Sequence, residues 1–320
     1  MKEGFKKNIS VLIVTYGNRW HFLKKVLAKI KENEKISSII LVNNGCTYDL
    51  SASLEKEEFN VELIDLKENT GSSNAFHEGF KYFLENRNEA LIWCLDDDNL
   101  PNNNSLEFLL ENINKQTACV SLRDDRKKYE LIAKGFDYKK TFEGNNAFNS
   151  FEVKRFFRKF KRIDSADKSL SITPIKIPHC YYGGLLLPRE ILNKIELPKR
   201  ALFLYADDHI FTHGITKNNF NLLLIPKSQI TDLEQSWFTK KPKGILNNPL
   251  LWSDDIRAFY ATRNGIYFSK FYLCDNKAVF YLNGLIFISL FTLSCIRYSK
   301  PKRLKLILKA IYNGIRGDLD

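Results

Sequence analysis

The chain has 320 residues, of which 44% are hydrophobic and 13% aromatic. A chain of this length and composition buries one large core, or one core with an appended subdomain, so general disorder is excluded. The formal net charge of +12 indicates an anionic partner, which leaves nucleic acid, anionic lipid and phosphorylated small molecules open.

The amino terminus shows no secretion signal, because residues 1–8 are charged and the apolar run that follows is only as long as a strand. We therefore expect the chain to start in the cytoplasm. Six cysteines are scattered without a C-x-x-C pair or metal-finger spacing, so we expect reduced, mostly buried thiols.

The first 95 residues alternate between strand-like and helix-like patterns. Apolar runs predict strands at residues 9–15, 39–42, 61–66 and 90–95. Helical spacing of apolar residues predicts helices at 20–31 and 74–84. This order is typical of an α/β nucleotide-binding fold, in which polar loops gather at the carboxyl ends of the strands and bind a ligand there.

The rest of the chain changes character twice. Residues 124–176 are polar and basic, and we expect a mobile insertion there. Strand and helix patterns return at 177–226, and aromatic helices follow. We predict one domain over 1–240, made of a nucleotide-binding half (1–123), the insertion and a catalytic half (177–240), and a helical membrane-associating region over 241–320.

Asp96, Asp97 and Asp98 directly follow the strand predicted at 90–95. Three adjacent carboxylates repel one another, which is costly unless a cation lies among them. Mg²⁺ or Mn²⁺, held by carboxylates and by the oxygens of a diphosphate, is the natural candidate. The alternative is a solvated acidic turn that caps a helix.

A second acidic pair, Asp207 and Asp208, precedes a predicted helix in the second half of the chain. An ordinary N-cap explains one of the two. Taken with the first cluster, the pair predicts a general base placed opposite a metal ion, which is the division of roles that group transfer needs.

The loop at 69–79 places small and amide residues ahead of a helix, which lets the backbone approach a phosphate or a ribose. Its candidate ligand contacts are Asn69, Gly71, Ser72 and Asn74. A plain helix N-terminus explains the pattern equally well. The loop matches neither a Walker loop nor G-x-G-x-x-G, which argues against an NTPase or a dehydrogenase.

Five motifs together resemble the family 2 glycosyltransferases of GT-A fold, in that family's order and spacing. They are VTYGNR (14–19), LVNNGC (41–46), NTGSSNAFHEGF (69–80), CLDDDN (94–99) and YADDH (205–209). The acidic elements and the aromatic-glycine segment 180–184 look most like the branch of bacterial galactofuranosyl- and rhamnosyltransferases. The resemblance implies an α/β, GT-A (Rossmann-like) nucleotide-sugar-binding fold with a C-terminal helical, membrane-associated subdomain.

The resemblance also implies roles for residues at matching positions. Besides the loop residues, the implied donor-binding residues are Thr15, Tyr16, Arg19, Asn44, Asp96 and Asp97. Asp98, with Asp96, would bind the metal that bridges the donor diphosphate. Asp208 would be the catalytic base of an inverting displacement. The implied acceptor-side residues are Tyr182, Gly183, Gly184, Asp207, His209 and Trp237.

Two positions depart from the family's pattern. The family often supplies a further metal ligand as a His after the next strand, and here that segment contains Asp232. A carboxylate serves a hard cation well, so Asp232 is the candidate replacement. Asn44 stands where the family commonly has an acidic residue.

Residues 278–296 contain no charged side chain and are just long enough to cross a membrane. A spanning helix would place the basic segment 297–316 outside, against the positive-inside tendency, so we expect an in-plane or hairpin contact. The segment 297–316 has the pattern of an interfacial basic helix. The alternative is a helix packed on its own domain or on a second subunit.

We therefore predict a transferase on the cytoplasmic face of the inner membrane, peripheral or monotopic, that builds a capsule or O-antigen. The expected donor is UDP-galactofuranose, with dTDP-rhamnose as the alternative, and the acceptor is a glycan or a polyprenyl-diphosphate-linked glycan. A homodimer is left open. A nucleotidyltransferase would need a basic Gly-rich loop where VTYGNRW stands. A nucleic-acid-binding module, stacking bases on the basic cluster 154–162, would leave the acidic clusters unexplained.

Overall fold

The computed structural model describes residues 9–123, 126–137, 141, 144–154, 170–234 and 248–319. Trp237, the acidic pair at 124–125 and most of the basic cluster 154–162 lie outside these ranges. The chain divides into two compact units. The first takes in residues 1–135, 169–203 and 208–235, and the second takes in residues 136–168, 204–207 and 236–320.

The described elements are numbered here in chain order. The strands are β1 (Ile9–Gly17), β2 (Ile36–Cys46), β3 (Glu62–Asp65), β4 (Leu91–Asp96), β5 (Asn99–Pro101), β6 (Thr117–Arg123), β7 (Ile175–Lys176), β8 (Leu185–Pro188) and β9 (Asn221–Asp232). The helices are α1 (Trp20–Lys31), α2 (Leu50–Lys56), α3 (Gly71–Asn86), α4 (Ser105–Leu110), α5 (Lys127–Ala133), α6 (Arg189–Leu192), α7 (Asp207–Lys217), α8 (Asp255–Phe268), α9 (Lys277–Arg297) and α10 (Pro301–Arg316).

A mixed sheet forms the centre of the first unit. Its described strands follow the order β3-β2-β1-β4-β8-β6-β9-β5, and β7 pairs with β9. β3, β2, β1 and β4 run parallel to one another, whereas β8 is antiparallel to its neighbours β4 and β6. The four parallel strands therefore end at one edge of the sheet, where α/β proteins bind their ligands.

Continuous apolar sequence explains the two central parallel strands. The first seven residues of β1 are buried, and so is β4 from Leu91 to Leu95, as expected of strands covered on both faces. Helix α1 places Leu23 and Leu27 on one side, and both pack in the same core as Trp93. The α/β architecture predicted from the sequence is confirmed, and α1 begins and ends at the predicted residues.

Several short elements were not predicted from the sequence. Helix α2 lies between the second and third strands, where the Asp49 side chain accepts a hydrogen bond from the Ala52 backbone N–H at 2.9 Å and caps the helix. Seven residues are too few to show a helical period. β5 has three residues and gives equally little pattern.

β9 is longer than the strand predicted at 222–225. It pairs in parallel with β6 along most of its length, with a register shift between Ser121 and Leu122. Its last residues pair antiparallel with β5, so that Asp232 lies opposite Asn99. This pairing brings Asp232 close to the end of β4.

The second unit contains α8, α9 and α10, and the predicted C-terminal helices are thus confirmed. Its core includes Phe148, Leu251, Ala258, Ile266, Phe280, Phe287, Phe291, Ile307 and Ile311. Residues 136–168 belong to this unit, so the boundary predicted at residue 240 stays a prediction. Within the described chain, α9 alone is long and apolar enough to cross a membrane, and 39% of its most apolar stretch is buried.

Gly71 and Gly135 both adopt a left-handed backbone, with φ of +84° and +82°. A β-carbon at Gly135 meets nothing within 4 Å, whereas at Gly71 it lies 2.6 Å from the Phe203 carbonyl carbon. We expect Gly135→Ala to lower the unfolding free energy by about 1–2 kcal/mol, from backbone strain alone. Gly71→Ala adds the overlap and should lose about 1–3 kcal/mol more. Urea unfolding measures both, and equal losses would contradict the tight approach of α3 to Phe203.

Candidate active site

Asp97 ties together the ends of the two central parallel strands. Its buried carboxylate accepts hydrogen bonds from Thr15 Oγ1 at 2.8 Å and from Arg19 Nε at 2.8 and 2.9 Å. Burial raises the pKa of Asp97 to about 7, against the opposing charge of Arg19. Thr15, Arg19 and Asp97, all predicted to bind the donor, therefore bind one another, and Asp97 is the buried residue of the three aspartates.

Arg19 connects several carboxylates. Besides Asp97 it pairs with Asp98, 3.0 Å from Nη2, and with Glu234. Burial lowers the pKa of Arg19, but the charges of these carboxylates raise it by more, so the guanidinium stays charged. Its central carbon lies 5.2 Å from the centre of the Tyr16 ring, which is 40% exposed. Tyr16 is thus an accessible aromatic ring at the end of β1.

Asn44, at the end of β2, holds the loop before α3. Its side-chain oxygen accepts hydrogen bonds from the Thr70 backbone N–H at 2.8 Å and from the Thr70 hydroxyl at 3.0 Å. The Asn69 side chain in turn accepts from the Gly71 backbone at 3.0 Å, and Asn74 donates to the Thr70 hydroxyl. This network fixes the start of α3. Donor contacts for its members and for half-buried Ser72 stay predictions.

Arg123 lies between two of the three residues predicted to bind a metal. Its Nη1 donates to Asp96 Oδ2 at 2.9 Å, and its Nε donates to Asp232 Oδ2 at 3.0 Å. The Asn99 side chain also donates to Asp232, at 2.7 Å. The Asp232 carboxylate is only 2% exposed and is occupied by these two partners. A metal contact there stays a prediction and would require Arg123 to move.

The end of β4 carries more negative than positive charge. Two guanidinium groups, those of Arg19 and Arg123, are paired with five carboxylates: Asp96, Asp97, Asp98, Asp232 and Glu234. Burial and the nearby Asp96 charge raise the pKa of Asp98. The surplus fits a divalent cation. The Asp96 side chain is 35% exposed, that of Asp98 is 13% exposed and pairs with Arg19, and a metal contact of either stays a prediction.

The described residues contain no group of three or more His, Cys, Asp or Glu side chains arranged to hold a metal ion. Two carboxylates would therefore supply only part of the coordination shell. Mg²⁺ commonly binds through one or two carboxylates and takes its other ligands from water and substrate phosphates. The donor set at the end of β4 fits an ion of that kind.

Asp208 lies in the first turn of α7, beside an aromatic and imidazole cluster. Its Oδ1 accepts from the backbone N–H of His209 and contacts His209 Nδ1, both at 2.7 Å. The His209 ring lies 4.7 Å from the ring of His179 and 4.8 Å from that of Tyr181. Burial, followed by the charge of His209, lowers the pKa of His179 well below its usual range.

Tyr181 lies between the Asp208–His209 pair and the carboxylate cluster. Its ring contacts His209 on one side, and the Arg123 guanidinium lies 5.9 Å from the ring centre. The Arg126 guanidinium lies closer, at 4.9 Å. The sequence reasoning missed Tyr181, Arg123 and Arg126. Arg123 carries the one available signal, because it ends an apolar run as the aspartates of β4 do.

Tyr182, predicted on the acceptor side, is buried in the structure, and its contact with an acceptor stays a prediction. Tyr182 is 4% exposed, and its ring stacks on Phe76 at 3.9 Å in the core. Asp207, predicted on the same side, is 3% exposed, and Trp237 lies outside the described residues. Tyr181, only half-buried, is the aromatic residue of this segment nearest the surface.

Gly183 and Gly184 let the backbone pack against the carboxylate cluster. A β-carbon at Gly183 would lie 2.9 Å from Asp96 Oδ2 and 2.5 Å from Arg123 Nη1. Gly184 has a φ of +91° and donates its backbone N–H to the Cys94 carbonyl at 2.8 Å. Both glycines therefore have a packing role beside the site, and the acceptor contact stays a prediction.

The comparison with known proteins agrees with this geometry. The family model described as "Glycosyl transferase family 2" matches residues 10–195, a range that ends before Asp208 and Asp232. The chain has no significant match among curated proteins.

Two solved structures share the fold. GalNAc-T7 with UDP, GalNAc and Mn²⁺ is 14% identical, with a TM-score of 0.54 over 84% of this chain and 52% of its own. The mannosyltransferase PcManGT from Pyrobaculum calidifontis, in complex with GDP-Man and Mn²⁺, is 11% identical, with a TM-score of 0.52 over 97% and 87%. The chain spans about half the length of the GalNAc-T7 chain. The predicted GT-A fold is confirmed.

Arg123→Met leaves Asp232 buried without its cationic partner. Breaking a buried ion pair from one side costs about 3–5 kcal/mol, and we expect a loss of that size in the unfolding free energy. Arg123→Met combined with Asp232→Leu should recover most of the lost unfolding free energy, because the buried carboxylate is then removed together with its partner. Lys134→Met, which breaks the more exposed pair with Glu130, is the control and should lose under about 1 kcal/mol. Equal urea midpoints for the two single variants would contradict the anchoring role of Arg123.

Proposed function

The chain belongs to glycosyl transferase family 2, and on that basis we propose that it transfers a sugar from a nucleotide-diphosphate donor to an acceptor hydroxyl. One observation carries the proposal. The carboxylate of Asp96 at the end of β4 and that of Asp208 at the start of α7 are connected through Arg123, Tyr181 and His209. Asp98, two residues after Asp96, pairs with Arg19.

A divalent cation, Mn²⁺ or Mg²⁺, is part of the proposal. The surplus of negative charge at the end of β4 supports it, and Asp96 and Asp98 would hold it. When bound, the cation offsets the charge of the departing diphosphate. GalNAc-T7 and PcManGT, which share the fold, bind Mn²⁺ together with UDP and GDP-Man respectively, and this supports a nucleotide-sugar donor here.

Asp208 is the proposed base. One carboxylate oxygen, Oδ1, is engaged by the backbone N–H and Nδ1 of His209, which orients the side chain. The other oxygen would receive the proton of the acceptor. In the proposed reaction Asp208 takes the proton of the acceptor hydroxyl, whose oxygen bonds to the anomeric carbon. The bond from that carbon to the donor diphosphate breaks, and the configuration inverts.

The finer identity of the substrates rests on the motifs. The aromatic-glycine segment and the acidic elements support UDP-galactofuranose as the donor, and dTDP-rhamnose is the second candidate. We propose a glycan or polyprenyl-diphosphate-linked glycan as the acceptor, in the synthesis of a surface polysaccharide at the cytoplasmic face of the membrane. The net charge of +12 favours substrates with several phosphates.

The donor site is tested by titrating UDP into the purified protein with and without Mn²⁺. We expect Asp98→Asn to weaken metal-dependent UDP binding about 10- to 100-fold, because the cation loses a ligand. Asp318→Asn, at an exposed position of the second unit, is the matched control and should bind as the parent does. An equal affinity for UDP with and without Mn²⁺, and in the parent and Asp98→Asn, would refute the role of the cation. Absence of any nucleotide binding would refute the donor site.

The base is tested by nucleotide release from UDP-galactofuranose and dTDP-rhamnose. Asp208→Asn should lower kcat by about 10²–10⁴-fold, because water or an acceptor then attacks without a positioned base. The Kd for UDP with Mn²⁺ should stay at the parent value, since Asp208 holds the acceptor side. An unchanged kcat would refute the role of Asp208 as the base, without contradicting the proposed donor site.

A further inference from the structure

Helix α9 of the second unit has two different faces. One face is buried and includes Phe280, Asn283, Gly284, Phe287, Phe291, Ser294 and Cys295. Asn283 anchors it, because its side chain donates to the Asn146 carbonyl at 2.7 Å and accepts from the Val153 backbone at 3.1 Å. Gly284 admits the Phe148 ring, which a β-carbon would meet at 2.8 Å. One long side of the helix is therefore packed against its own unit.

The opposite side of α9, called the outer face here, is apolar and open. It consists of Tyr281, Leu282, Leu285, Ser289, Leu293 and Ile296. These positions recur every three or four residues, so they form one stripe about 22 Å long. Leu285 and Ile296 are 66% and 69% exposed. A continuous apolar stripe of this size on a soluble surface is typical of an interaction site.

The charges within α9 and α10 are all positive. Residues 277–317 contain eight lysines and arginines and no acidic residue. Lys277 and Arg297 bound the stripe, and α10 continues with Lys302, Lys305 and Lys309, all exposed. Within the part of the chain that the structure describes, none of these lysines of α10 forms an ion pair. An uncharged stripe with a cation at each end, followed by a helix that carries three exposed lysines, matches a surface that is apolar inside and anionic at its boundary.

We propose that the outer face of α9 docks on an anionic lipid surface, with the helix lying in the plane of the membrane. Asn283 and Gly284 hold one side of the helix to its own unit, so the outer face is the side that is open to lipid, as in a helix lying at the interface. Cationic side chains beside the stripe would contact the lipid phosphates. The inference is independent of the proposed sugar transfer.

A second copy of the chain is the competing occupant. A two-fold contact through the outer face would bring the same patch of each copy together. Lys277 and Arg297, at the two ends of the stripe, would then approach the cations of the other copy, whereas an anionic bilayer neutralises them. Charge complementarity thus favours the lipid.

The test is sedimentation of the full chain with vesicles of phosphatidylcholine alone or mixed with phosphatidylglycerol. We expect binding to the anionic vesicles, and a drop of at least tenfold in the partition coefficient for Leu285→Glu combined with Leu293→Glu. Ile172→Glu, at a residue of the first unit that is 72% exposed, is the matched control and should bind as the parent does. Lys302→Gln, Lys305→Gln and Lys309→Gln together should remove the preference for anionic vesicles.

Orientation is read from quenching by brominated lipids, with tryptophan placed at Leu282, Ser289 or Ile296 and the parent signal subtracted. An in-plane helix gives the same shallow depth at all three positions. Ser289 deep and the two ends shallow would show a spanning helix and overturn the proposal. So would failure of the parent to bind anionic vesicles, or a dimer that Leu285→Glu dissociates while vesicle binding persists.

Discussion

Repulsion among Asp96, Asp97 and Asp98 is the constraint on which the functional edge of the first unit depends. Three carboxylates at the end of one buried strand require compensation from other parts of the chain. Arg19 brings it from the turn after β1, and Arg123 brings it from the end of β6. Because each guanidinium reaches more than one carboxylate, the two arginines hold the ends of four strands together, those of β1, β4, β6 and β9, and still leave a negative surplus.

The neighbouring backbone follows from this arrangement. Gly183 has no side chain because the Asp96–Arg123 pair occupies that space. Tyr181, two residues before Gly183, contacts the ring of His209, which in turn contacts Asp208. The charge cluster and the proposed base are thus positioned by one short segment, and β9 completes the cluster by carrying Asp232 to Arg123.

The sequence predicted much of this fold, for physical reasons that also set its limits. Long apolar runs such as β1 and β4 identify buried strands, and polar residues after them mark the ligand edge. The pattern does not tell which of three adjacent aspartates points inward, because a turn breaks the alternation of a strand. Tyr181 and Tyr182 differ by one position, and only packing on Phe76 decides which is buried. Arg123 depends on contacts with residues far away in the chain, which local patterns do not contain.

Helix α9 shows how one apolar sequence meets two separate demands. Its phenylalanines Phe280, Phe287 and Phe291 fill the core of the second unit, and Leu282, Leu285, Leu293 and Ile296 lie on the other side. The mean hydropathy of the helix sums over both sides and therefore does not tell the buried side from the exposed one. Substitutions on the two sides should consequently be tolerated under different rules: volume limits the inner positions, where packing is dense, whereas polarity limits the outer ones.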